Sequence, residues 1–239
     1  MKPYYSHGGI QIYCGDCREI LPTLEARSID TVITDPPYGI VNDFGIAIKQ
    51  DGIRKLSFDW DKPEGVAEGV AEGVRLCKSS ASCFVFSSID IVGLLLEKVR
   101  EQGFICKPAA WVKECPPPAG FGNWWPSGFE LAFYGYRNSP YFGDVDRKRS
   151  NVFVADSLRY GQPGKNGHPT QKPLVLMAKL VKALCRQDGM VLDPFMGSGT
   201  TLRAAKDAGC RAIGIEIEEK YCETAARRME QEVFNFQEA

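Results

Sequence analysis

The sequence predicts an α/β fold: a Rossmann-like, doubly wound and mostly parallel sheet with helices on both faces. Segments rich in β-branched residues alternate with segments of helical periodicity, which is the order that strand–helix–strand units produce. Several strand segments are apolar throughout, as expected for strands that are covered on both faces. The chain has 239 residues, close to the length of one domain, so we predict a single domain over residues 1–239.

The individual elements are predicted from local signals. Strands are assigned to short β-branched runs that end in polar or proline-rich turns, and helices to apolar residues three or four positions apart. The predicted strands are residues 10–13, 31–34, 83–86, 104–112, 131–136, 190–192 and 211–215. The predicted helices are residues 18–24, 89–102, 173–185, 200–208 and 218–232. Glycines at 103 and 209 provide the stop signals of two of these helices.

Three stretches interrupt this alternation. Residues 39–63 show no period and are predicted to form a mobile loop, since loops of this length usually act as lids or binding loops. Residues 64–74 repeat Glu-Gly-Val-Ala, and the three glycines cost a helix roughly 1 kcal/mol each relative to alanine, so we predict a weak helix there. Residues 115–167 are rich in proline, glycine and basic side chains, and are predicted to be an insertion that carries a recognition surface.

Charge is balanced overall but not along the chain. There are 29 basic and 30 acidic residues, yet residues 147–182 hold eight basic residues and one acidic residue. A solvated face and a phosphate-binding surface both explain such a segment. No apolar run approaches the ~20 residues that span a bilayer, so we expect a cytoplasmic protein without membrane partners. The Cys14–Cys17 pair lacks a second pair at ligand spacing, and we expect no metal site.

The first motif that carries chemistry follows the second predicted strand. It reads Thr-Asp-Pro-Pro-Tyr, with Asp35, Pro36, Pro37 and Tyr38 in sequence. The prolines stiffen the exit from the strand and leave Asp35 at the carboxyl edge of the sheet, where such folds bind ligands. The Asp35 carboxylate and the Pro36 carbonyl accept hydrogen bonds beside the aromatic ring of Tyr38. This combination suits a planar group that bears an amine.

The second motif is a glycine turn between a strand and a helix. It begins at Asp193, contains Gly197 and Gly199, and is followed at the end of the next strand by Glu216. An acid in this position is the expected partner of ribose hydroxyls. A dinucleotide site would need a third glycine where Leu202 stands. A shorter turn that holds an amino-acid carboxylate fits better, which indicates S-adenosylmethionine, a nucleoside joined to an amino acid.

Together with the segment His-Pro-Thr-Gln-Lys-Pro at 168–173, these motifs resemble the DNA amino-methyltransferases, in the circularly permuted order of the β class. The resemblance spans roughly residues 11–229 and implies methyl transfer from S-adenosylmethionine to an exocyclic amine of DNA. It implies that Asp35, Pro36, Pro37 and Tyr38 hold the amine and stack the flipped base. The cofactor-binding residues that it implies are Asp16, Lys172, Asp193, Phe195, Gly197, Ser198, Gly199, Thr200 and Glu216.

The resemblance also guides the expected partners. Asp16 would lie near the cofactor's adenine, and Lys172 would pair with its carboxylate. The substrate would be double-stranded DNA with the target base flipped out, covered by the loop 39–63. The basic residues expected to contact nucleic acid are Arg147, Lys148, Arg149 and Lys165. We also expect that a second copy of the chain can contribute to duplex binding.

Several functions remain open at this point. Adenine N6 is favoured as the target, because the motif begins with aspartate, whereas cytosine-N4 enzymes of the family more often have serine. Cytosine N4 is the alternative base, and RNA or protein-glutamine methylation is the alternative substrate class. A non-catalytic nucleic-acid-binding relic is the alternative outside enzymes, and it would predict decay of motifs that are intact in this chain.

Overall fold

The computed structural model describes residues 1–37, 47–49, 52–54, 62–114, 128–143, 150–156 and 171–231. The strands are β1 (Tyr5–His7), β2 (Ile10–Cys14), β3 (Ile29–Thr34), β4 (Ala47–Lys49), β5 (Gly52–Arg54), β6 (Cys77–Ser87), β7 (Ile105–Val112), β8 (Phe129–Arg137), β9 (Val152–Val154), β10 (Met190–Asp193) and β11 (Arg211–Glu216). The helices are α1 (Cys17–Ile20), α2 (Pro63–Arg75), α3 (Val92–Glu101), α4 (Leu174–Leu184), α5 (Thr200–Asp207) and α6 (Glu219–Glu230).

Within these residues, nine strands form one sheet in the order β1-β2-β11-β10-β3-β6-β8-β7-β9. The five strands from β2 to β6 in this order run parallel. β8 pairs antiparallel with both β6 and β7, while β9 runs parallel to β7. The predicted mostly parallel, doubly wound sheet is confirmed. Its central pair, β3 and β10, brings together two strands that lie far apart in the sequence.

Helices cover both faces of the sheet, as predicted. On one face, α4, α5 and α6 bury residues such as Leu180, Ala204 and Ala225 against the sheet. On the other face, α1, α2 and α3 bury a second cluster that includes Val70 and Leu95. Because both faces are covered, the polar groups that remain accessible around the central strands are concentrated at the strand ends. This leaves the carboxyl edge of the sheet as the place for chemistry.

The glycine-rich repeat forms a regular helix, α2, and its glycines have a packing role that the sequence analysis did not predict. A Cβ at Gly69 would lie 2.8 Å from both Cys17 Sγ and Phe195 Cζ, and one at Gly73 would lie 3.0 Å from Pro194 Cγ. The absence of side chains therefore lets α2 approach the loop after β10 closely. The cost in helix propensity is incurred for this contact.

Other departures from the predicted elements have local reasons. The segment predicted as an irregular loop contains β4 and β5, which pair antiparallel. β1 and β9 are short edge strands without an alternating apolar pattern, so sequence periodicity does not mark them. β6 begins six residues before its predicted start. The sequence did not predict these first residues as strand because they include the polar, exposed Ser79 and Ser80. β8 and β9 fall within residues 115–167 and extend the sheet.

No helix in the described part of the chain is long and apolar enough to cross a membrane.

Candidate active site

The two motifs meet where β3 and β10 end side by side. These strands are parallel neighbours, with Thr31 opposite Val191 and Val32 opposite Leu192. At their carboxyl ends, the Thr34 hydroxyl donates a hydrogen bond of 2.8 Å to Asp193 Oδ1. Asp35 follows Thr34 directly, so it lies beside the start of the glycine turn with no strand between them.

Asp193 organises the turn from inside the protein. Its side chain is buried, and Thr201 Oγ1 donates to Oδ2 at 2.6 Å while the Phe195 amide donates to Oδ1 at 3.2 Å. Burial raises the pKa of Asp193 to about 6, although its hydrogen bonds oppose that rise. With its oxygens bonded to protein donors and its side chain buried, Asp193 fixes the start of the turn.

The turn itself depends on left-handed backbone conformations. Gly197 has φ 52° and Gly199 has φ 76°, backbone angles that residues with a side chain rarely adopt. Gly199 also packs against α6, where an added Cβ would lie 2.8 Å from Ala225 Cβ. On the opposite side, Glu216 Oε2 accepts the Gly197 amide at 3.1 Å, and Oε1 accepts the Glu218 amide at 2.9 Å. Burial raises the pKa of Glu216.

A cleft opens between this turn and the end of β2, and its lining includes Asp16, Arg18, Gly65, Phe195 and Glu216. Asp16 caps α1 by accepting the Arg18 amide at 2.9 Å, and it also pairs with the Arg18 guanidinium. Those hydrogen bonds lower the pKa of Asp16. Thus Asp16, Phe195 and Glu216, distant in sequence, line one cleft beside the glycine turn.

On the other side of the β3–β10 junction, Lys172 binds Asp35. Its ammonium pairs with Asp35 Oδ2 and lies 3.1 Å from Glu130 Oε2. Burial alone would lower the pKa of Lys172, but the two carboxylates together raise it above its ordinary value. The family resemblance implied the cofactor's carboxylate as the partner of Lys172. The structure instead places this side chain between two protein carboxylates, at the predicted amine-binding motif.

Glu130 was not predicted as a site residue. It precedes the predicted strand 131–136 by one position and lies in β8, between the aromatic and apolar residues of that strand. An acid between Phe129 and Leu131, next to a predicted strand, was the available signal, because a half-buried carboxylate needs a cation nearby.

The remaining predicted residues are distributed unevenly. Pro36 is buried and Pro37 half-buried at the exit of β3. Ser198 is buried in the turn, and Thr200 begins α5, where its hydroxyl accepts a hydrogen bond of 3.0 Å from Arg228 of α6. Thr200 is thus directed towards α6 and is absent from the lining of the cleft. The predicted residues that lie outside the described part of the chain are Tyr38, Arg147, Lys148, Arg149 and Lys165.

In the part of the chain that is described, the cysteine pair Cys14 and Cys17 is not part of a metal-binding group. No group of three or more histidine, cysteine, aspartate or glutamate side chains there could hold a metal ion. Cys17 is buried, and burial raises the pKa of its thiol to about 12. Its sulfur instead packs at the closest approach of α2, near Gly69.

Known proteins are similar to this chain in sequence and in architecture. A family model described as a DNA methylase, N6_N4_Mtase, matches residues 29–227. The type II methyltransferase M2.MboI of Moraxella bovis is 27% identical over 95% of this chain and 91% of its own. M2.DpnII of Streptococcus pneumoniae is 28% identical over 97% and 93%. The crystal structure of M1.HpyAVI in complex with SAM superposes with a TM-score of 0.73, at 28% identity, over 93% of this chain and 100% of that one. The cytosine-N4-specific PvuII DNA methyltransferase superposes with a TM-score of 0.77 over 98% and 91%, at 18% identity.

Proposed function

The chain belongs to the N6/N4 DNA methylase family, and from this premise we propose that it methylates the exocyclic N6 amine of adenine in double-stranded DNA, with S-adenosylmethionine as the donor. One observation carries the proposal. The Thr34–Asp193 hydrogen bond joins the amine-binding motif directly to the glycine turn, so the groups that would hold acceptor and donor are immediate neighbours.

The residues around the cleft fit S-adenosylmethionine. Glu216 would accept hydrogen bonds from the ribose hydroxyls, Asp16 would lie near the adenine, and Phe195 would line the methionine pocket. The left-handed turn at Gly197 and Gly199 would leave backbone free to approach the methionine part closely. M1.HpyAVI, 28% identical over 93% of this chain, has been crystallised with SAM. When bound, this cofactor supplies an electrophilic methyl group on a sulfonium.

The protein's own groups would prepare the amine. The lone pair of an exocyclic amine is delocalised into the base, which makes the nitrogen a poor nucleophile. Hydrogen bonds from its two N–H groups to the Asp35 carboxylate and the Pro36 carbonyl would favour a more tetrahedral nitrogen with a localised lone pair. Tyr38 would stack on the base and hold its plane. Holding both partners in line lowers the entropic part of the barrier. No strong base is required before transfer, because the nitrogen would lose its proton after the methyl group has left the sulfonium, which becomes a neutral thioether.

The target base has to leave the duplex to reach Asp35, which costs a few kcal/mol of stacking and pairing. We propose that the loop 39–63 covers the flipped base, and that Arg147, Lys148, Arg149 and Lys165 bind the phosphate backbone. A second copy of the chain would extend this duplex contact. These assignments rest on the order of the motifs and on the local charge excess.

The choice of adenine rests on Asp35. Cytosine N4 is the alternative, since one neighbour of the same fold is cytosine-N4-specific by name, although only 18% identical. Purified protein, labelled S-adenosylmethionine and a panel of duplexes would decide, after digestion to nucleosides and chromatography. We expect label in N6-methyladenine only. Label confined to N4-methylcytosine would overturn the base, and unlabelled DNA across a panel of random-sequence duplexes would overturn the activity.

A further inference from the structure

Lys172 has an environment that a cofactor ligand would not require. Its side chain is only 7% exposed and lies between two acids from different strands, Asp35 after β3 and Glu130 in β8. The ammonium also lies 4.9 Å from the centre of the Phe86 ring and 5.9 Å from that of Trp111. Carboxylates and aromatic faces are the two kinds of group that stabilise a desolvated cation.

The charged contacts continue beyond Lys172. Glu130 Oε2 is closed to solvent, and Glu130 Oε1 binds Lys113, directly after β7, at 3.0 Å. Trp111, which faces both lysines, is held by a hydrogen bond of 2.8 Å from its indole N–H to the Ala155 carbonyl. Two acids and two lysines therefore alternate from the end of β3, through the segment before α4 and β8, to the end of β7, and each charge has an opposite charge beside it.

This arrangement restrains Asp35. A carboxylate on a short side chain at a strand exit can rotate about two torsions, and each rotation would move its oxygens relative to a bound amine. An ammonium fixed on Oδ2 restrains the carboxylate plane and so directs the second oxygen of the same group. Glu130 and the two aromatic rings fix the ammonium in turn, since a lysine head on a flexible stem has no preferred position by itself.

We propose that Lys172 is a positioning residue for the acceptor site: held by Glu130, it orients the Asp35 carboxylate for the target amine and does not bind the cofactor's carboxylate. The inference rests on the proposed role of Asp35, but it applies to the amine of either base. Lys113 supports Glu130 from the far side. None of the three acts on the substrate directly.

The test compares variants of the full chain in DNA methylation and in calorimetric titration with S-adenosylmethionine. Lys172→Met removes the charge, Lys172→Arg retains it with another geometry, and Glu130→Gln keeps the shape of the second acid. The matched control is Lys78→Met. Lys78 pairs at 2.7 Å with Asp30, which lies near the start of β3, whereas Asp35 follows the end of that strand. Asp35→Ala tests the premise separately.

We expect Lys172→Met to lower kcat on the order of 100-fold, as a misplacement of about 1 Å can do. Its Kd for S-adenosylmethionine should stay within about threefold of wild type, because the cleft is on the other side of the β3–β10 junction. Lys172→Arg should recover part of the lost kcat, and Glu130→Gln should lower kcat about tenfold. The double variant with Lys172→Met and Glu130→Gln should have a kcat no lower than that of Lys172→Met alone. Lys78→Met should keep kcat within about twofold.

Three results would overturn the inference. The first is an unchanged kcat in Lys172→Met. The second is a Lys172→Met variant whose only defect is affinity for S-adenosylmethionine weakened tenfold or more, which would make Lys172 a cofactor ligand. If Lys172→Met does not fold, Glu130→Gln decides, and an unchanged kcat in that variant is the third. An active Asp35→Ala variant would instead reject the proposed acceptor, so the two failures remain distinguishable.

Discussion

Thr34 and Asp193, 159 positions apart in the chain, are joined by a hydrogen bond of 2.8 Å at the carboxyl ends of two adjacent parallel strands. One residue precedes the predicted amine acceptor, and the other begins the glycine turn. A short, buried contact between them therefore sets the separation of the two halves of the site. In a close-packed interior, such a separation does not adjust continuously when the contact is lost.

Thr34→Val should therefore impair activity as well as stability. The isosteric change removes one donor from the buried Asp193 and should cost about 1–3 kcal/mol in the free energy of unfolding. Chemical denaturation would measure this, and methylation kinetics would show a lowered kcat. Thr31→Val is the control, because Thr31 lies in β3 with Thr34, but its hydroxyl makes a buried contact of 3.0 Å with Ser82 of β6, away from the site. Equal kcat values in the two variants would contradict the coupling.

Asp193 should give the unfolding free energy a distinct pH dependence. Its pKa is about 6 in the folded protein, above the ordinary 3.8. The folded state therefore holds the proton more tightly, and this contribution to stability is lost as pH rises from about 4 to about 6. A shift of this size corresponds to about 3 kcal/mol. Asp193→Asn lacks the titration, so the stability of wild type relative to this variant should fall over that window. Urea denaturation measures the free energy of unfolding of both proteins between pH 4 and 7. A constant difference between wild type and Asp193→Asn over this range would reject the prediction.

Gly69→Ala should disturb the contact between α2 and the loop after β10. The new methyl group would lie 2.8 Å from Cys17 Sγ and from Phe195 Cζ, so one of them must shift. Overpacking of this kind costs about 1–3 kcal/mol. Because Phe195 lines the cleft, the affinity for S-adenosylmethionine should fall as well.

Gly93→Ala provides the opposite case for the same substitution. An added Cβ at Gly93, in α3, has no neighbour within 4 Å. Helix propensity should then stabilise the variant by about 0.5–1 kcal/mol. Thermal unfolding of the two variants, with and without the cofactor, compares them directly. A stabilised Gly69→Ala variant would show that the glycine face of α2 is not needed for packing.

Glu216→Gln should weaken cofactor binding. Gln keeps one acceptor oxygen, but its amide group would face the backbone N–H of either Gly197 or Glu218, both of which Glu216 now accepts. A donor that faces a donor loses the bond and displaces the turn, at a cost of about 1–3 kcal/mol in binding. Calorimetric titration with S-adenosylmethionine measures the change. Glu218→Gln, whose side chain is 44% exposed, should leave the affinity unchanged. The prediction fails if both variants bind like wild type.

Residue patterns were sufficient for the architecture. Alternating strand and helix signals predicted the doubly wound sheet because strand burial and helix amphipathicity are written locally in side-chain polarity. They also predicted that Asp35 and Asp193 lie at strand ends, since a proline pair and a glycine turn each stop a strand by themselves. The short edge strands β1 and β9 were missed, because their pairing relies on backbone groups that every residue carries.

The sequence by itself determined the motifs, their order and the family that they indicate. Only the tertiary structure decided which side chains act on each other: Lys172 pairs with Asp35 and Glu130, Glu216 with the Gly197 amide, and the glycines of α2 with Phe195 and Pro194. Such contacts join residues from strands and helices that are remote in the chain. Their partners depend on sheet order and close packing, which no local pattern specifies, and a lysine has the same sequence signal whether it faces a cofactor or a carboxylate of its own protein.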